Sequence, residues 1–317
     1  MKKITATVAD DLGGKRLDQV LSEIFPDYSR NKLQIWIKAG RVLVDGKHLK
    51  PKERLDGGEF IELDAEPETV IQCTAEPIPL NIVFEDETLL IVNKPAGMVV
   101  HPAAGNWQGT LQNALLYYHP PLATLPRAGI VHRIDKDTSG LLMIAKTLQA
   151  HHSLVEQLQA RTIDREYLAV TQKRMTAGGT IDEPIGRHPV DRKRYAVTTH
   201  GKTAVTHYRV VERYNQFTMI RVKLETGRTH QIRVHMAHVR YPLLGDPVYG
   251  GRFKLPSNCP QQLEVILRQF KRQALHAGKL GIIHPTTGEY CPWEAPLPED
   301  MQQLVDALKI MNADHTN

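Results

Sequence analysis

Strand-like segments dominate the chain after residue 80, and they follow one another without a repeated strand–helix unit. FTMIRVKLE at 217–225 alternates with the period of a half-buried strand, and LLMIA at 141–145 is apolar throughout, as in a fully buried strand. LNIVFEDETLLIVNKP at 80–95 predicts two strands joined by a turn at 85–87, and Thr147 is a candidate N-cap for a helix. Clustered strands without glycine-rich strand–helix turns argue against a doubly wound parallel sheet. We predict an α+β region that begins at residue 81.

The first 63 residues have a different pattern. Apolar spacing predicts two helices, one from residue 17 to 24 and one from Arg30 to Ala39 with Ser29 as its N-cap. RVLVDGKHL then predicts a hairpin that turns at Asp45 and Gly46, and GGEFIEL predicts one more strand. Residues 64–80 hold three prolines and no persistent period, which is typical of a semi-extended linker. We therefore predict a small α/β domain, a linker and a larger domain.

Composition narrows the class of protein. With 317 residues, 41% of them hydrophobic and 24% charged, the chain has material for two folded domains and is unlike a disordered protein. A net charge of +5 gives modest support to a polyanionic partner. The three cysteines form no CxxC pair, which argues against a zinc ribbon or a disulfide framework. Because there is no apolar signal region, no membrane-length stretch and no heptad pattern, we expect a cytoplasmic monomer that does not bind membranes.

The stretch VHRIDKDTSG, residues 131–140, concentrates charge directly before the buried LLMIA strand. Turn-forming residues make a surface turn the simplest interpretation. DKDTS also approaches the DxDxT motif of magnesium-dependent haloacid dehalogenases, although Ser139 replaces the threonine and a Rossmann-like pattern is missing. Asp135 and Asp137 could instead be a glycosidase pair, which needs carboxyl groups about 5 to 9.5 Å apart. The residues alone leave these alternatives open.

A fourth interpretation comes from several blocks in a fixed order. HRIDKDTSG resembles the HRLDxxTSG signature of the RluA family of pseudouridine synthases, and NKPAGMVVHP, REYLAV, ETGRTHQIRVHMAH, PLLGDPVYGG and RQALHA are similar to the family's other blocks. Residues 1–63 resemble the S4 RNA-binding domain. The resemblance implies a catalytic domain over 81–317 with a mixed, mainly antiparallel sheet. It also implies isomerisation of uridine to pseudouridine in 23S ribosomal RNA or a large-subunit precursor, in the uridine cluster of the helix 69 stem-loop, without metal or cofactor.

The resemblance assigns Asp135 as the carboxylate that acts on the ribose, by attack at C1′ or by assisting elimination, and Arg233 as its ionising partner. An arginine within hydrogen-bond reach favours the charged form of a carboxylate. Thr229 can cap a helix that carries Arg233 in its first turns, although a strand over 229–235 also fits the sequence. Tyr167 is the family residue on which the flipped base would stack, with its hydroxyl available for proton transfer at C5.

Other residues are expected to contact RNA. Arg133 resembles the family arginine that fills the space left by the extruded base, although it could simply pair with Asp137. Arg165 stands where the family more often has lysine. In the S4-like segment, the second predicted helix would face phosphates with three cations: Arg30, Lys32 and Lys38.

Two further hypotheses compete with this interpretation. His235 and His238 could share a helical face and bind a metal, but no acidic ligand has a recognisable spacing. The chain could also be a non-catalytic ribosomal RNA-binding assembly factor that retains the fold. The joint presence of Asp135, Tyr167 and Arg233 favours the enzyme.

Overall fold

The protein is described by a computed structural model. The structure describes residues 2–26, 28, 30–65, 73–103, 105–256 and 259–313. The chain divides into two compact units, Met1–Gln72 and Cys73–Asn317, and the division falls inside the predicted linker. Ser29, the predicted N-cap of the helix that begins at Arg30, lies outside the described residues.

The N-terminal unit is a three-stranded antiparallel sheet with two helices. Its core consists of apolar side chains from both helices and the sheet, among them Leu21, Leu33 and Ile61. The sheet order is β1-β3-β2. Its elements are β1 Lys2–Thr7, α1 Leu17–Ile24, α2 Arg30–Lys38, β2 Val42–Val44 and β3 Phe60–Ala65.

Both predicted helices and the GGEFIEL strand are confirmed in this unit, but the predicted hairpin is wrong. The turn at Asp45 and Gly46 exists, with positive φ at both residues, yet its second arm makes only an isolated bridge from Lys47 to Val44. Strand β2 pairs instead with β3, which also pairs with β1, a strand absent from the prediction. Partner choice in a sheet depends on burial of the whole face, which a local turn signal does not report.

The C-terminal unit is built on a nine-stranded mixed sheet. The strands of the whole unit are β4 Ile82–Glu85, β5 Leu89–Lys94, β6 Ser139–Ala145, β7 Asp164–Gln172, β8 Gly179–Asp182, β9 Ile185–Arg187, β10 Tyr195–Val197, β11 Val205–Arg213, β12 Phe217–Leu224, β13 Leu275–Ile283 and β14 Tyr290–Glu294. The order is β4-β5-β6-β13-β7-β12-β11-β8, with β14 paired to β13, while β9 and β10 form a separate ribbon. Within the described residues only β6 and β13 pair in parallel, so the predicted mainly antiparallel α+β fold is confirmed.

Helices cover this sheet and explain why β6 is buried along its whole length. The helices are α3 Leu111–Tyr118, α4 Leu148–Ala160, α5 Gln231–His238, α6 Gln261–Gln269 and α7 Glu299–Ala313. Thr147 caps α4 as predicted, because its side chain accepts the N–H of Ala150. The turn at 85–87 and the strand at 217–224 are also confirmed. None of the helices in the described part of the chain has both the length and the apolar character needed to span a bilayer.

The start of β6 depends on a glycine. Gly140 has φ +120°, and a Cβ there would lie 2.3 Å from the carbonyl oxygen of Ala277 on β13. We expect Gly140→Ala to lower the free energy of unfolding by about 3 kcal/mol or more, since it adds backbone strain and a backbone clash. Gly251→Ala is the matched control, because Gly251 also has positive φ but nothing within 4 Å, and should cost about 1 to 2 kcal/mol. Equal losses in denaturant titrations would contradict the close approach.

Candidate active site

Asp135 lies in the loop that leads into β6, and its side chain is 18% exposed. The guanidinium of Arg233, from α5, donates from Nη1 to Asp135 Oδ2 at 3.0 Å. The two residues are 98 positions apart in sequence. The predicted pairing of these two side chains is therefore confirmed, and it places an arginine charge directly against the carboxylate.

Arg233 is itself held by a second carboxylate that the sequence analysis did not single out. Its Nε and Nη2 donate to Asp246 Oδ2 and Oδ1 at 2.7 and 2.9 Å, and the N–H groups of Val248 and Tyr249 also donate to Oδ1. Burial alone raises the pKa of the Asp246 carboxyl, but Arg233 and these two N–H groups outweigh burial and hold it below its ordinary value. Asp246 lies in the quoted PLLGDPVYGG block, yet its partner is visible only in three dimensions.

The prediction that Arg233 lies in a helix is confirmed, but the prediction that Thr229 caps this helix is wrong. Helix α5 begins at Gln231, after His230 in the left-handed conformation, and the cap position has no side-chain hydrogen bond. The Gln231 side chain instead accepts the N–H of Arg228 at 2.9 Å and donates to the carbonyl of Val205 at 2.9 Å. The tight turn at His230 moves the helix start past Thr229, and Gln231 ties it to the neighbouring strand.

A pocket with a cavity volume of about 90 Å³ contains the Asp135–Arg233 pair. Five of the predicted site residues line this pocket: Arg133, Asp135, Arg165, Tyr167 and Arg233. The predicted S4 cations Arg30, Lys32 and Lys38 belong to the other compact unit. The predicted roles of all eight residues stay predictions.

Tyr167 lies on β7 and is only 7% exposed, so its ring is both part of the core and part of the pocket wall. Burial raises the pKa of its hydroxyl, Arg165 opposes the rise and Asp135 adds to it. The phenol is thus protonated at neutral pH. Its hydroxyl makes no hydrogen bond to another described residue, which leaves a proton donor free to meet a ligand.

His230 lies beside Asp135 but does not act as a second cation for it. Its Nε2 is 4.0 Å from Asp135 Oδ1, while Nδ1 bonds to the Tyr249 hydroxyl at 2.8 Å. Burial lowers the pKa of His230, and the nearby Asp135 opposes this only in part. The imidazole is neutral at neutral pH, so Arg233 is the charge that pairs with the carboxylate.

Arg133 is exposed at the pocket edge, and within the described residues it forms no ion pair with Asp137. The alternative in which Arg133 merely pairs with that aspartate is therefore not supported. In the N-terminal unit, Arg30 donates to buried Asp18 at 2.8 Å while its side chain stays 45% exposed. Lys32 lies over the Trp36 ring at 4.8 Å.

The loop that carries Asp135 is fixed from two other strands. The Lys94 ammonium donates to the carbonyls of Pro95, Met98 and Lys136 at 2.7, 2.9 and 2.9 Å. From the β13 side, Gln273 donates to the Thr138 hydroxyl at 3.0 Å, and Ser139 Oγ lies 2.9 Å from His276 Nδ1. NKPAG and RQALHA therefore rigidify the loop, a role that their sequences did not reveal.

The buried Lys94 ammonium makes the stability of the protein increase with pH above neutrality. Burial lowers its pKa from the ordinary 10.5 to about 7, against the opposing charges of Asp137 and Asp135. Between those values the unfolded chain binds a proton that the native chain lacks, so the wild type should gain stability relative to Lys94→Met as pH rises from 7, by up to about 1.4 kcal/mol per pH unit. Denaturant titrations at several pH values measure this difference. Parallel pH profiles for the two proteins would contradict it.

The geometry does not support the metal-site, haloacid dehalogenase or glycosidase interpretations. The described residues hold no group of three or more His, Cys, Asp or Glu side chains that could bind a metal ion. His235 is buried, bonding to the Thr206 hydroxyl at 2.8 Å and the Glu183 carbonyl at 2.9 Å. The mainly antiparallel sheet contradicts a haloacid dehalogenase fold. The pocket is lined by Asp135 but not by Asp137, so it does not present the two carboxylates of a glycosidase pair.

Comparison with known proteins agrees with the fold. The RNA pseudouridylate synthase family model matches residues 88–238, and the S4 domain model matches residues 15–61. Among solved structures, human RNA Pseudouridylate Synthase Domain Containing 1 is similar with a TM-score of 0.53 and 26% identity, covering 77% of this chain and 98% of that one. Domain Containing 4 has a TM-score of 0.59 at 24% identity, covering 72% and 93%, and supports the fold.

The chain belongs to the RNA pseudouridylate synthase family, in its RluA branch with an N-terminal S4 domain, and it is an isomerase. Curated relatives named Ribosomal large subunit pseudouridine synthase D match almost the full length. The Pseudomonas aeruginosa protein is 56% identical over 96% of this chain and 95% of its own. The Escherichia coli (strain K12) protein is 54% identical over 99% of this chain and 96% of its own. The predicted family and enzyme class are confirmed.

Proposed function

We propose that this enzyme converts uridines of 23S ribosomal RNA, in the helix 69 stem-loop, to pseudouridine. The observation that carries the chemistry is the Asp135 carboxylate, held 3.0 Å from Arg233 in a pocket lined by Tyr167. The substrate assignment rests on relatives at 54 to 56% identity that are named for the ribosomal large subunit.

Asp135 acts as the nucleophile at ribose C1′. Its attack forms an ester bond to C1′ and breaks the bond from C1′ to uracil N1. The released uracil turns and its C5 attacks C1′, which breaks the ester bond and frees the Asp135 carboxylate. The C5 proton then leaves and N1 is protonated. Arg233 places its charge and an N–H donor against this carboxylate, and Asp246 holds the guanidinium in place. The rigid Lys94 and Gln273 contacts keep the loop in register with the sugar.

Base flipping brings the uridine into this pocket. Tyr167 offers a ring for stacking and a protonated hydroxyl near the reacting base. Arg133, exposed at the edge, takes the position that the base leaves in the RNA stack. On the S4 unit, Arg30, Lys32 and Lys38 of α2 neutralise RNA phosphates. The enzyme works in the cytoplasm as a monomer, in line with a sequence that lacks heptads.

Mapping pseudouridines in ribosomal RNA tests this proposal. Cells that lack this chain should lose pseudouridine from helix 69 of 23S RNA, and the wild-type chain supplied in trans should restore it. Modification sites elsewhere in the same RNA serve as internal controls. Unchanged pseudouridine in helix 69 would show that the substrate assignment is wrong.

A further inference from the structure

Arg165 is a buried cation without an ion-pair or hydrogen-bond partner among the described residues. It lies on β7 two residues before Tyr167, so both side chains lie on the same face of the strand and line the pocket of Asp135. Arg165 is 8% exposed, and its Nε is sealed from solvent without a hydrogen-bond partner. Within the described residues no carboxylate pairs with it.

The other buried arginine of the pocket is in the opposite situation. Arg233 makes three hydrogen bonds to the carboxylates of Asp135 and Asp246. Burying a guanidinium without such partners costs free energy, because the lost hydration is not replaced. An arginine kept in this state inside a ligand pocket indicates that the ligand supplies the missing partner.

Arg165 lies close to the loop that leads into α5. The guanidinium Nη1 lies 3.0 Å from the position that a Cβ at residue 227 would occupy, so a side chain there would crowd it, and Gly227 avoids this. Gly227 belongs to the loop that leads into α5, whose N-terminal N–H groups favour negative charge. The cation, the glycine and the start of the helix therefore all line the same pocket.

We propose that Arg165 binds a phosphate of the flipped uridine nucleotide, next to the base that stacks on Tyr167. The proposal rests on the proposed function and adds a phosphate subsite to it. A phosphate brings full negative charge and accepts two parallel N–H donors from a guanidinium. The carbonyl groups of a neutral uracil would leave the buried charge of Arg165 uncompensated.

Mononucleotide binding tests the subsite without depending on the RNA target. The full-length wild type should bind uridine 5′-monophosphate or 3′-monophosphate about 10- to 100-fold more tightly than uridine, the range expected for a charge-assisted pair. Arg165→Met should bind nucleotide and nucleoside alike. Arg221→Met is the matched control, since Arg221 is exposed on neighbouring β12 and outside this pocket, and should behave as the wild type. A wild type that does not distinguish the phosphorylated probes from uridine overturns the proposal.

A stem-loop carrying the helix 69 sequence separates phosphate binding from stabilisation of the base. A neutral methylphosphonate next to the target uridine should weaken binding to the wild type and not to Arg165→Met. If Arg165→Met has an unchanged KM and a much lower kcat, Arg165 stabilises the charge on the departing uracil instead. That result would overturn the phosphate assignment. If the wild type leaves this stem-loop unmodified, the proposed substrate fails, while the mononucleotide result still decides on Arg165.

Stability provides the control for folding. Because Arg165 loses no ion pair or hydrogen bond to any described residue, Arg165→Met should unfold at the same temperature as the wild type or a higher one. Arg165→Lys, which keeps the charge but loses the planar fork, should retain part of the preference for phosphorylated probes. A large drop in melting temperature for Arg165→Met would show a structural role and overturn the proposal.

Discussion

Asp135→Asn abolishes pseudouridine formation while RNA binding stays nearly intact. The substitution removes the anion that attacks the ribose but keeps the shape of the side chain, and Arg233 retains its two hydrogen bonds to Asp246. We expect kcat to fall by on the order of 10⁴-fold or more, the scale seen when a nucleophile is removed. Turnover of the helix 69 stem-loop gives kcat, and a binding titration gives the affinity.

Asp137→Asn is the matched control for this loss. Asp137 lies two residues further along the same loop, but the pocket is not lined by it. This variant should keep its activity within about tenfold of the wild type, since a group outside the pocket makes no direct contact with the reacting atoms. Normal modification by Asp135→Asn would contradict the mechanism. A ribosome-assembly defect corrected equally well by both variants would favour the non-catalytic assembly factor.

Asp246→Ala should be the most destabilising of the site substitutions. Asp246 is fully buried and accepts four hydrogen bonds, two of them from Arg233. Its removal leaves a buried guanidinium with Asp135 alone, and breaking a buried pair in this way costs about 3 to 5 kcal/mol. We expect that loss in the free energy of unfolding, together with a fall in kcat on the order of 100-fold in folded protein, since Arg233 no longer has a fixed position.

The pH dependence of this variant follows from the lowered pKa of Asp246. The stability that Asp246 contributes is fully present above the ordinary Asp pKa of about 3.9 and is lost as pH falls through the native value. The gap between wild type and Asp246→Ala should therefore stay constant from pH 5 to 8 and narrow in stronger acid. Asp182→Ala is the control, because Asp182 is an exposed residue of β8. It should change the free energy of unfolding by no more than about 0.5 kcal/mol. Similar losses in both variants would contradict the network.

Local patterns were sufficient for only part of the secondary structure of the C-terminal unit, and strands such as β11 and β13 were not predicted. The alternation at 217–224, the apolar run of β6 and the Thr147 cap are read within one element, where side-chain period and capping chemistry are intrinsic. The failures are instructive. The hairpin after Val44 and the Thr229 cap depended on which strand or side chain lay nearby, and that is decided outside the local segment.

The candidate site divides in the same way. Asp135, Tyr167 and Arg233 were reached because their blocks resemble a family, and their convergence in one pocket is a property of the fold. Asp246 and Lys94 stood in quoted blocks without an assigned role, because a buried carboxylate or ammonium reveals its function only through its partners. The cations of α2 were named because residues 1–63 resemble an S4 domain, and their contact with RNA stays a prediction.

The sequence by itself determined the family and the α+β class, because ordered blocks of residues and side-chain periods can be recognised along the chain. It also placed Asp135 in the block that carries the proposed nucleophile. Tertiary structure decided that Asp246 anchors Arg233 and that Lys94 and Gln273 hold the loop of Asp135. It also decided that Arg165 is buried without a counter-ion among the described residues. Desolvation and pairing set the energy of a charge, and both depend on groups brought together from distant parts of the chain.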